Sequence, residues 1–275
     1  MTVKFMSFSS GSCGNCAYLG IETEQPLPDG RTKWGIIIDA GVSLRKLKQA
    51  LTANSLDFNA IDAVLVTHEH GDHIRHLGSF CKRLGIPVYA SANLHEVLSR
   101  HPYTKDHIAT CRRELIADEW NRVAEAIDVR YFIVPHDAAE TLGYTVNIAG
   151  RRFTLMTDLG HMTEEGLQYA KESDTVVIES DFDVDMLMSG SYTHELKMRI
   201  IQGYGHLSND ACADAIRRFY HKGLRNIFLC HISGNNNTPA LAARSASEAL
   251  QSLSASSEVS VRPLPRGICT PLLTL

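Results

Sequence analysis

The stretch VTHEHGDHIRHLG, residues 66–78, constrains this chain more than any other part of its sequence. The apolar run AVLV, residues 63–66, leads into it and is typical of a fully buried strand. His68 and His70 are two residues apart, so both side chains can point to one side of a strand end or tight loop. Asp72 and His73 follow at once and reach a neighbouring point. The pattern predicts metal ligands rather than scattered surface histidines, and we call residues 68–73 the metal loop.

The donors of the metal loop indicate the kind of ion that it binds. Imidazole nitrogen combined with carboxylate oxygen suits Zn²⁺ or Mn²⁺. The loop offers more donors than one tetrahedral ion takes from a single segment, so we expect two divalent ions side by side. Two such cations lower the pKa of a shared water and neutralise charge that builds on a phosphoryl or carbonyl oxygen. The pattern therefore predicts a binuclear hydrolase that acts through a metal-bridged hydroxide.

Strand-like and helix-like segments alternate along the whole chain. Runs such as TVKFMSF, KWGIIIDAG, RRFTLMTD, DTVVIES and NIFLCHIS favour strands. Helical patterns include SLRKLKQALTAN with Ser43 as N-cap, LSNDACADAIRRFYHKG ending at Gly223, and ALAARSASEALQSL after Thr238–Pro239. No linker or low-complexity segment interrupts this order, which predicts one α/β domain over residues 1–275. Segment 103–127 has a mixed polar pattern and is either a substrate-facing cover or a packing helix.

Composition excludes some classes of protein and leaves others open. The chain has 275 residues and a formal net charge of −4, so it carries no global basic field of the kind that marks many nucleic-acid binders. Its seven cysteines are an odd number and fit reduced thiols better than a disulfide framework. The N-terminus lacks the pattern of a secretory signal, and no apolar run approaches membrane-spanning length. We expect a cytoplasmic protein without a membrane partner.

Candidate ligands end several other apolar runs. Asp39 ends GIIIDAG, His136 lies in VPHDA, Asp158 lies in LMTDLG, and His231 lies in FLCHIS. An HxHxDH motif after a buried strand, followed by these motifs in this order, resembles the metallo-β-lactamase superfamily. The resemblance extends over nearly the whole chain. It implies an αββα sandwich, in which two mixed β-sheets are flanked by helices.

The resemblance also implies which residues hold the two ions. The first site, the second site and the bridging carboxylate would be, in turn, His68, His70 and His136; Asp72, His73 and His231; and Asp158. Asp39 would brace the metal loop through hydrogen bonds. Asp72 would have a second role, because it would also accept a hydrogen bond from the hydroxide and orient it toward the substrate.

Further residues narrow the reaction. Asp158 stands where a major group of true β-lactamases has a cysteine, which weakens that assignment. His206 in GHLSND resembles the additional histidine of the nuclease branch, and Glu179 in VVIESDFD resembles its acidic partner. Because a leaving sugar oxygen needs a proton, we expect His206 to act as general acid or phosphate contact, oriented by Glu179. Ser208 is a candidate substrate contact, although GHLSND can also simply start a helix with Ser208 as its cap.

The full set of motifs most resembles the YycJ/WalJ (VicX) group of the superfamily. The matching segments are SFSSGSCGNCAYL, THEHGDH, PHDA, TDLG, ESDFD, LKMRI and GHLSN. The resemblance implies an exonuclease-like phosphodiesterase that acts on nucleic acid, DNA rather than RNA, with a link to DNA repair. The Gly/Ser-rich opening would place Ser10, Gly11 and Asn15 at the substrate phosphate, unless it is a plain β-turn.

The sequence leaves other substrates and a non-catalytic role open. The segment between Asp158 and His231 is too short for a large inserted β-CASP domain, which leaves the grip on a polymer unexplained. A small phosphodiester or a thioester is therefore an alternative substrate. A non-catalytic regulatory protein that retains the fold is another alternative, although every expected ligand is present. The sequence does not indicate the working metal or an oligomeric state.

Overall fold

The structure, a computed structural model, describes residues 1–255 and 258–275. These residues form two sheets of seven strands each. In chain order the strands are β1 (Thr2–Ser9), β2 (Cys16–Glu22), β3 (Lys33–Ile38), β4 (Ala63–Leu65), β5 (Val88–Ala90), β6 (Arg112–Glu114), β7 (Asn121–Ala124), β8 (Ile127–Val134), β9 (Thr141–Ile148), β10 (Arg151–Met156), β11 (Thr175–Glu179), β12 (Asn226–Cys230), β13 (Ser260–Pro263) and β14 (Leu273–Thr274). The helices are α1 (Leu44–Ala53), α2 (Gly71–Ile74), α3 (Leu77–Leu84), α4 (Ala92–Leu98), α5 (Glu164–Lys171), α6 (Val184–Ser189), α7 (His194–Ile201), α8 (Asn209–Phe219) and α9 (Pro239–Ser252).

Both sheets are mixed, and they are built alike. The first has the order β14-β1-β2-β3-β4-β5-β6, with antiparallel pairs from β14 to β3 and parallel pairs from β3 to β6. The second has the order β13-β12-β11-β10-β9-β8-β7, with parallel pairs from β13 to β10 and antiparallel pairs from β10 to β7. The two mixed sheets expected from the sequence are confirmed.

The largest core lies between the two sheets. The buried ring of Phe5 on β1 contacts Phe228 on β12, with ring centroids 4.7 Å apart. On β11, Val177 belongs to this core, whereas Val176 and Ile178 belong to a second core that includes α5, α8 and α9. Successive strand residues face opposite sides, so β11 is buried on both faces and its sequence is a continuous apolar run. The αββα layering is confirmed.

The helices begin where their capping residues predict. The Ser43 hydroxyl accepts a hydrogen bond from Lys46 N–H at the start of α1, and Thr238 caps α9 ahead of Pro239. The helix predicted to end at Gly223 ends earlier, at Phe219, because Tyr220 has an extended ψ of 137°. Among the residues that the structure describes, no helix combines the length and hydrophobicity that crossing a bilayer requires.

Segment 103–127 forms two short edge strands, β6 and β7, so the expectation of a packing helix is wrong. Two of its side chains, Arg112 and Trp120, contact other side chains of the protein. Arg112 is paired with Glu114, and the Trp120 ring lies 4.5 Å from the Arg152 guanidinium. None of its residues lines the cleft described below. The segment therefore closes the edges of the two sheets.

Three loops at one edge of the sandwich are tied together through their backbones. Asn15 N–H donates to the Asp72 carbonyl (2.8 Å), Gly41 N–H donates to the Asn15 carbonyl (2.9 Å), and Ala40 N–H donates to the His73 carbonyl (2.7 Å). Gly41 lies where a side chain has no room, since a Cβ there would be 1.8 Å from the Asp72 carbonyl oxygen. The loops after β1 and β3 therefore fix the position of the metal loop.

We predict that Gly41→Ala lowers the free energy of unfolding by about 4 kcal/mol or more, because the new Cβ has to push apart two hydrogen-bonded backbones. Urea unfolding followed by circular dichroism measures the change. Gly30→Ala is the control, since a Cβ there meets nothing within 4 Å. Its left-handed backbone alone should cost about 1–2 kcal/mol. Equal losses in the two variants would contradict the prediction.

Candidate metal centre

Asp39 is the buried anchor of the metal loop. Its Oδ1 accepts the backbone N–H of Thr67 (2.8 Å), and its Oδ2 accepts a hydrogen bond from Nδ1 of His73 (2.7 Å). The Thr67 hydroxyl donates to the same carboxylate and lies 3.0 Å from Nδ1 of His68. These contacts occupy the Nδ1 atoms of both histidines. They leave each Nε2 to face the other ligands.

Three histidines present one nitrogen each to a common point. The ligand atoms of His68, His70 and His136 all lie within 4.8 Å of one another. His136 follows β8, and its Nδ1 donates to the Gly205 carbonyl at 2.9 Å, which directs Nε2 to the cluster. Burial lowers the pKa of His68 and of His136, so both favour the neutral form that binds metal.

A second cluster lies beside the first. The ligand atoms of Asp72, His73 and His231 are also within 4.8 Å of one another. His231 follows β12, and its Nδ1 is 3.2 Å from a carboxylate oxygen of Asp181 and 3.2 Å from one of Glu179. Its Nε2 is 3.6 Å from Asp72 Oδ2. The outer carboxylates therefore orient His231 in the way that Asp39 orients His73.

Asp158 lies between the two clusters. Its Oδ2 is 3.2 Å from Nε2 of His73. Its Oδ1 is 3.6 Å from Nε2 of His231, 3.7 Å from that of His136 and 4.0 Å from that of His68. Burial opposes ionisation of this carboxyl, but His231, His73 and His68 outweigh it and hold its pKa well below the usual value. An ionised carboxylate thus stands at the point that the two clusters share.

The backbone is strained at the residues that organise the centre. Asp39, Asp158 and His231 have φ values of 62°, 52° and 53°, in the left-handed region that residues other than glycine rarely adopt. Each follows the end of a strand, and each such conformation costs about 1–3 kcal/mol. The turn at each strand end directs the side chain into the cluster rather than along the strand.

The donors fit divalent metal ions. Nε2 of His68, His136 and His231 is buried, and within residues 1–255 and 258–275 none of these atoms has a hydrogen-bond partner. A buried polar atom without a partner costs free energy, which a metal bound through its lone pair would offset. Imidazole with carboxylate suits Zn²⁺ or Mn²⁺. Acceptors behind the rings, such as Asp39, are typical of metal sites.

His206 and Glu179 form a pair next to the metal ligands. Nδ1 of His206, which lies just before α8, donates to Oε1 of the fully buried Glu179 at 2.7 Å. The other oxygen of Glu179 accepts the N–H groups of Leu159 and Leu207. Burial lowers the pKa of His206, but the Glu179 carboxylate outweighs it and raises the pKa to about 9. The contact with Glu179 therefore favours the protonated form of His206.

Five of the seven ligand residues line a cleft of about 340 Å³, and we call this part of the cleft the metal floor: His70, Asp72, His136, Asp158 and His231. Tyr192, Leu196 and Ile200, which lie on α7 or just before it, form an apolar wall. Ser12 and Arg266 line the cleft from the β1–β2 loop and from the segment after β13. A polar metal floor with one apolar wall is an arrangement that suits a ligand with both charged and flat apolar parts.

The Gly/Ser-rich loop lies behind the ligands. The Ser10 hydroxyl accepts the backbone N–H of His231 (2.8 Å), and the Asn15 amide donates to Asp72 Oδ2 (3.0 Å). The Asn15 side-chain oxygen accepts the N–H of Gly11 (2.6 Å). Ser10 and Asn15 are almost completely buried. Their contact with a substrate phosphate stays a prediction, and in the structure they support ligands.

Ser208 lies outside the set of cleft-lining residues, and its hydroxyl caps α8 by accepting the N–H of Ala211 (3.1 Å). The residues that line the cleft but were not predicted from the sequence include Ser12, Asp181 and Arg266. Asp181 could have been predicted from the sequence, because it lies two residues after Glu179 at the end of a strand and can point to the same side. Arg266 could not have been predicted, because only the folded chain brings the C-terminal segment beside the β1–β2 loop.

The comparison with known proteins agrees with this geometry. The β-lactamase superfamily domain matches residues 35–232. The chain belongs to the β-lactamase superfamily. Exodeoxyribonuclease YycJ of Bacillus anthracis is 30% identical over 251 residues, which cover 91% of this chain and 90% of that protein. Exodeoxyribonuclease WalJ of Streptococcus pneumoniae serotype 2 is 31% identical over 239 residues, which cover 87% and 85%.

Solved structures show the same fold. The metallo-β-lactamase fold protein YhfI of Bacillus subtilis superimposes with a TM-score of 0.68 at 15% identity, over 98% of this chain and 99% of that one. Zn²⁺-bound PqqB of Methylobacterium extorquens gives 0.68 at 18% identity, over 97% and 99%. The family resemblance seen in the sequence is confirmed. This superfamily member is a metal-dependent hydrolase.

We predict that Asp39→Asn weakens Zn²⁺ binding by about 10- to 100-fold, because an amide no longer provides the negative charge that holds the Nδ1 proton of His73. Competition with a chromophoric chelator measures the affinity. Asp106→Asn is the control, because it removes one exposed carboxylate far along the chain from the ligands. An unchanged affinity in Asp39→Asn, with folding intact by circular dichroism, would refute the bracing role.

Proposed function

We propose that this protein is a binuclear phosphodiesterase that degrades DNA as an exonuclease. The observation that carries the proposal is the His206–Glu179 pair beside the metal cluster, because cleavage of a phosphodiester needs a proton donor that the metals do not supply. The relatives named exodeoxyribonuclease support DNA as the polymer.

Two ions, Zn²⁺ or Mn²⁺, would be shared among seven side chains. The residues that would hold them are His68, His70 and His136 for one, Asp72, His73 and His231 for the other, and Asp158 for both. When bound, such ions lower the pKa of water and offset negative charge on the phosphoryl oxygens. The orphaned Nε2 atoms support this assignment.

Asp72 would orient the attacking water. Its contacts within the described residues use Oδ2, which accepts from the Asn15 amide (3.0 Å) and lies 3.5 Å from His73 Nε2. Oδ1 is therefore left to accept a hydrogen bond from the water and to direct the water's lone pair at phosphorus. Because Asn15 fixes the carboxylate, this orientation requires no rearrangement during the reaction.

His206 would protonate the leaving oxygen. Its Nδ1 donates to Glu179, so Nε2 is the ring nitrogen that is available to donate a proton to a substrate in the cleft. As the bond from phosphorus to the sugar oxygen breaks, the Nε2 proton passes to that oxygen. The buried carboxylate of Glu179 stabilises the imidazolium before the transfer and fixes its orientation. Tyr192 and Leu196 offer an apolar surface on which a nucleobase can stack.

End-labelled duplex DNA, single-stranded DNA and RNA, each incubated with Mn²⁺- or Zn²⁺-loaded protein, test the proposal. We expect DNA to be shortened from an end, and we expect Asp72→Asn to abolish this cutting because the amide can no longer orient water. The order in which labelled products appear gives the polarity. Cleavage of RNA alone, or the same activity in Asp72→Asn, would be inconsistent with the proposed function.

We predict that His206→Ala lowers kcat on DNA by about 10²–10⁴-fold, the range expected for loss of a general acid. Glu179→Gln should lower it less, because the histidine remains but loses the charge that holds its proton. His107→Ala is the matched control, since that histidine does not line the cleft. Single-turnover rates with a saturating amount of protein give the comparison. A kcat for His206→Ala equal to that of the control would show that His206 takes no part in the reaction.

One observation favours a second candidate, a small phosphodiester. Of the described residues that line the cleft, only Arg199 and Arg266 are arginine or lysine, and Arg199 is paired with Asp137. The cleft therefore has no long basic track along which a polymer could lie. Turnover of bis(p-nitrophenyl) phosphate without cleavage of any polymer would select this candidate. Hydrolysis of a thioester without cleavage of any phosphodiester would contradict both the nuclease and the small-phosphodiester candidates.

A further inference from the structure

Arg266 is built into the rim of the cleft by the segment that follows β13. The carbonyl of Pro265 accepts the N–H of Ser10 (3.2 Å), and the N–H of Gly267 donates to the Ser9 hydroxyl (3.1 Å). The residues on both sides of Arg266 are thus tied to the end of β1. The backbone that carries the guanidinium is fixed rather than free.

Two glycines make room for the guanidinium. A Cβ on Gly11 would lie 3.1 Å from Nη1 of Arg266, and a Cβ on Gly234 would lie 3.3 Å from its Cζ. Gly11 also has a φ of 123°, which other residues rarely adopt. Nη1 donates to the Ser12 hydroxyl (3.2 Å) and lies 3.5 Å from the Ile232 carbonyl oxygen. The side chain therefore lies flat between two loops, one of which follows His231.

The charge of Arg266 is not neutralised within the part of the chain that the structure describes. Arg199, the other arginine of the cleft, forms an ion pair with Asp137, whereas Arg266 forms none. Asp72 and Asp158 line the same cleft, yet neither is within ion-pair distance of the guanidinium. Arg266 thus presents to the cleft a cation that no carboxylate of the described residues pairs with.

We propose that Arg266, with the Ser12 hydroxyl, forms a subsite for the phosphate that neighbours the scissile one. The proposal rests on the proposed function, because the scissile phosphate would occupy the metal floor. Arg266 lines the same cleft as Asp72 and Asp158, and its Nη1 lies beside the carbonyl of Ile232, the residue after His231, so a strand whose scissile phosphate occupied the metal floor would bring a neighbouring phosphate toward the guanidinium. A planar donor with a hydroxyl beside it suits a phosphodiester oxygen pair, and it would set the position of the strand in the cleft.

Binding of a fluorescent single-stranded DNA to the metal-loaded protein, followed by anisotropy over a range of salt concentrations, tests the subsite. Every protein in this comparison, including the one with wild-type Arg266, also carries His206→Ala, so that cutting is slow on the time scale of binding. We expect Arg266→Gln to weaken binding about tenfold. Loss of one phosphate contact should also lower the slope of log Kd against log salt by about 0.7. Arg262→Gln is the matched control, because Arg262 is an exposed arginine of β13 outside the cleft. Both its Kd and its slope should match those of the wild type.

A second arm locates the phosphate. One uncharged methylphosphonate linkage beside the scissile linkage should weaken wild-type binding about tenfold, but Arg266→Gln by less than about twofold, because the partner charge is already missing. An unchanged salt slope in Arg266→Gln, or equal methylphosphonate penalties in both proteins, would overturn the subsite. Binding with the expected slope, together with no cutting of DNA by the protein without substitutions, would overturn the nuclease proposal and leave the subsite standing.

Discussion

The buried carboxylate of Asp39 organises the centre. A carboxylate removed from water is costly unless donors surround it, and Thr67 and His73 provide those donors. The same contacts join the end of β3 to the metal loop after β4 and fix which nitrogen of His73 faces the cleft. The buried charge of Asp39 thereby fixes the orientation of a ligand, His73. The left-handed φ of Asp39 is the local cost of that arrangement.

Hydrogen-bond acceptors behind the ring also orient two other histidine ligands. His136 is oriented by the Gly205 carbonyl, and His231 is oriented by Asp181 and Glu179. Because the ligands come from the ends of strands in both sheets, they meet only when the two sheets are packed face to face. Metal binding and closure of the sandwich are therefore linked, since ions that bind only the folded arrangement stabilise it.

The sequence predicted those helices and strands that are specified by a short stretch of neighbouring residues. Short apolar runs and capping residues identified most strands and the starts of α1 and α9, and the order of the motifs predicted the ligand set. The pattern of segment 103–127 was ambiguous because β6 has only three residues, too few to show a period. Arg266 was missed because its neighbours in space, Ser12 and Gly234, are distant in sequence. Contacts of that kind depend on the closed fold and have no signature in a short window.

The scarcity of cations in the cleft bears on how a polymer would be held. Nucleic-acid affinity rises with the number of phosphates that a protein neutralises. A cleft of about 340 Å³ lies at the lower end of the range for small-molecule sites, and its one unpaired arginine can engage one phosphate beside the metals. For the proposed nuclease, so few phosphate contacts would fit the end of a strand better than an internal site, which would need a longer basic surface, and the same scarcity would also fit a small phosphodiester.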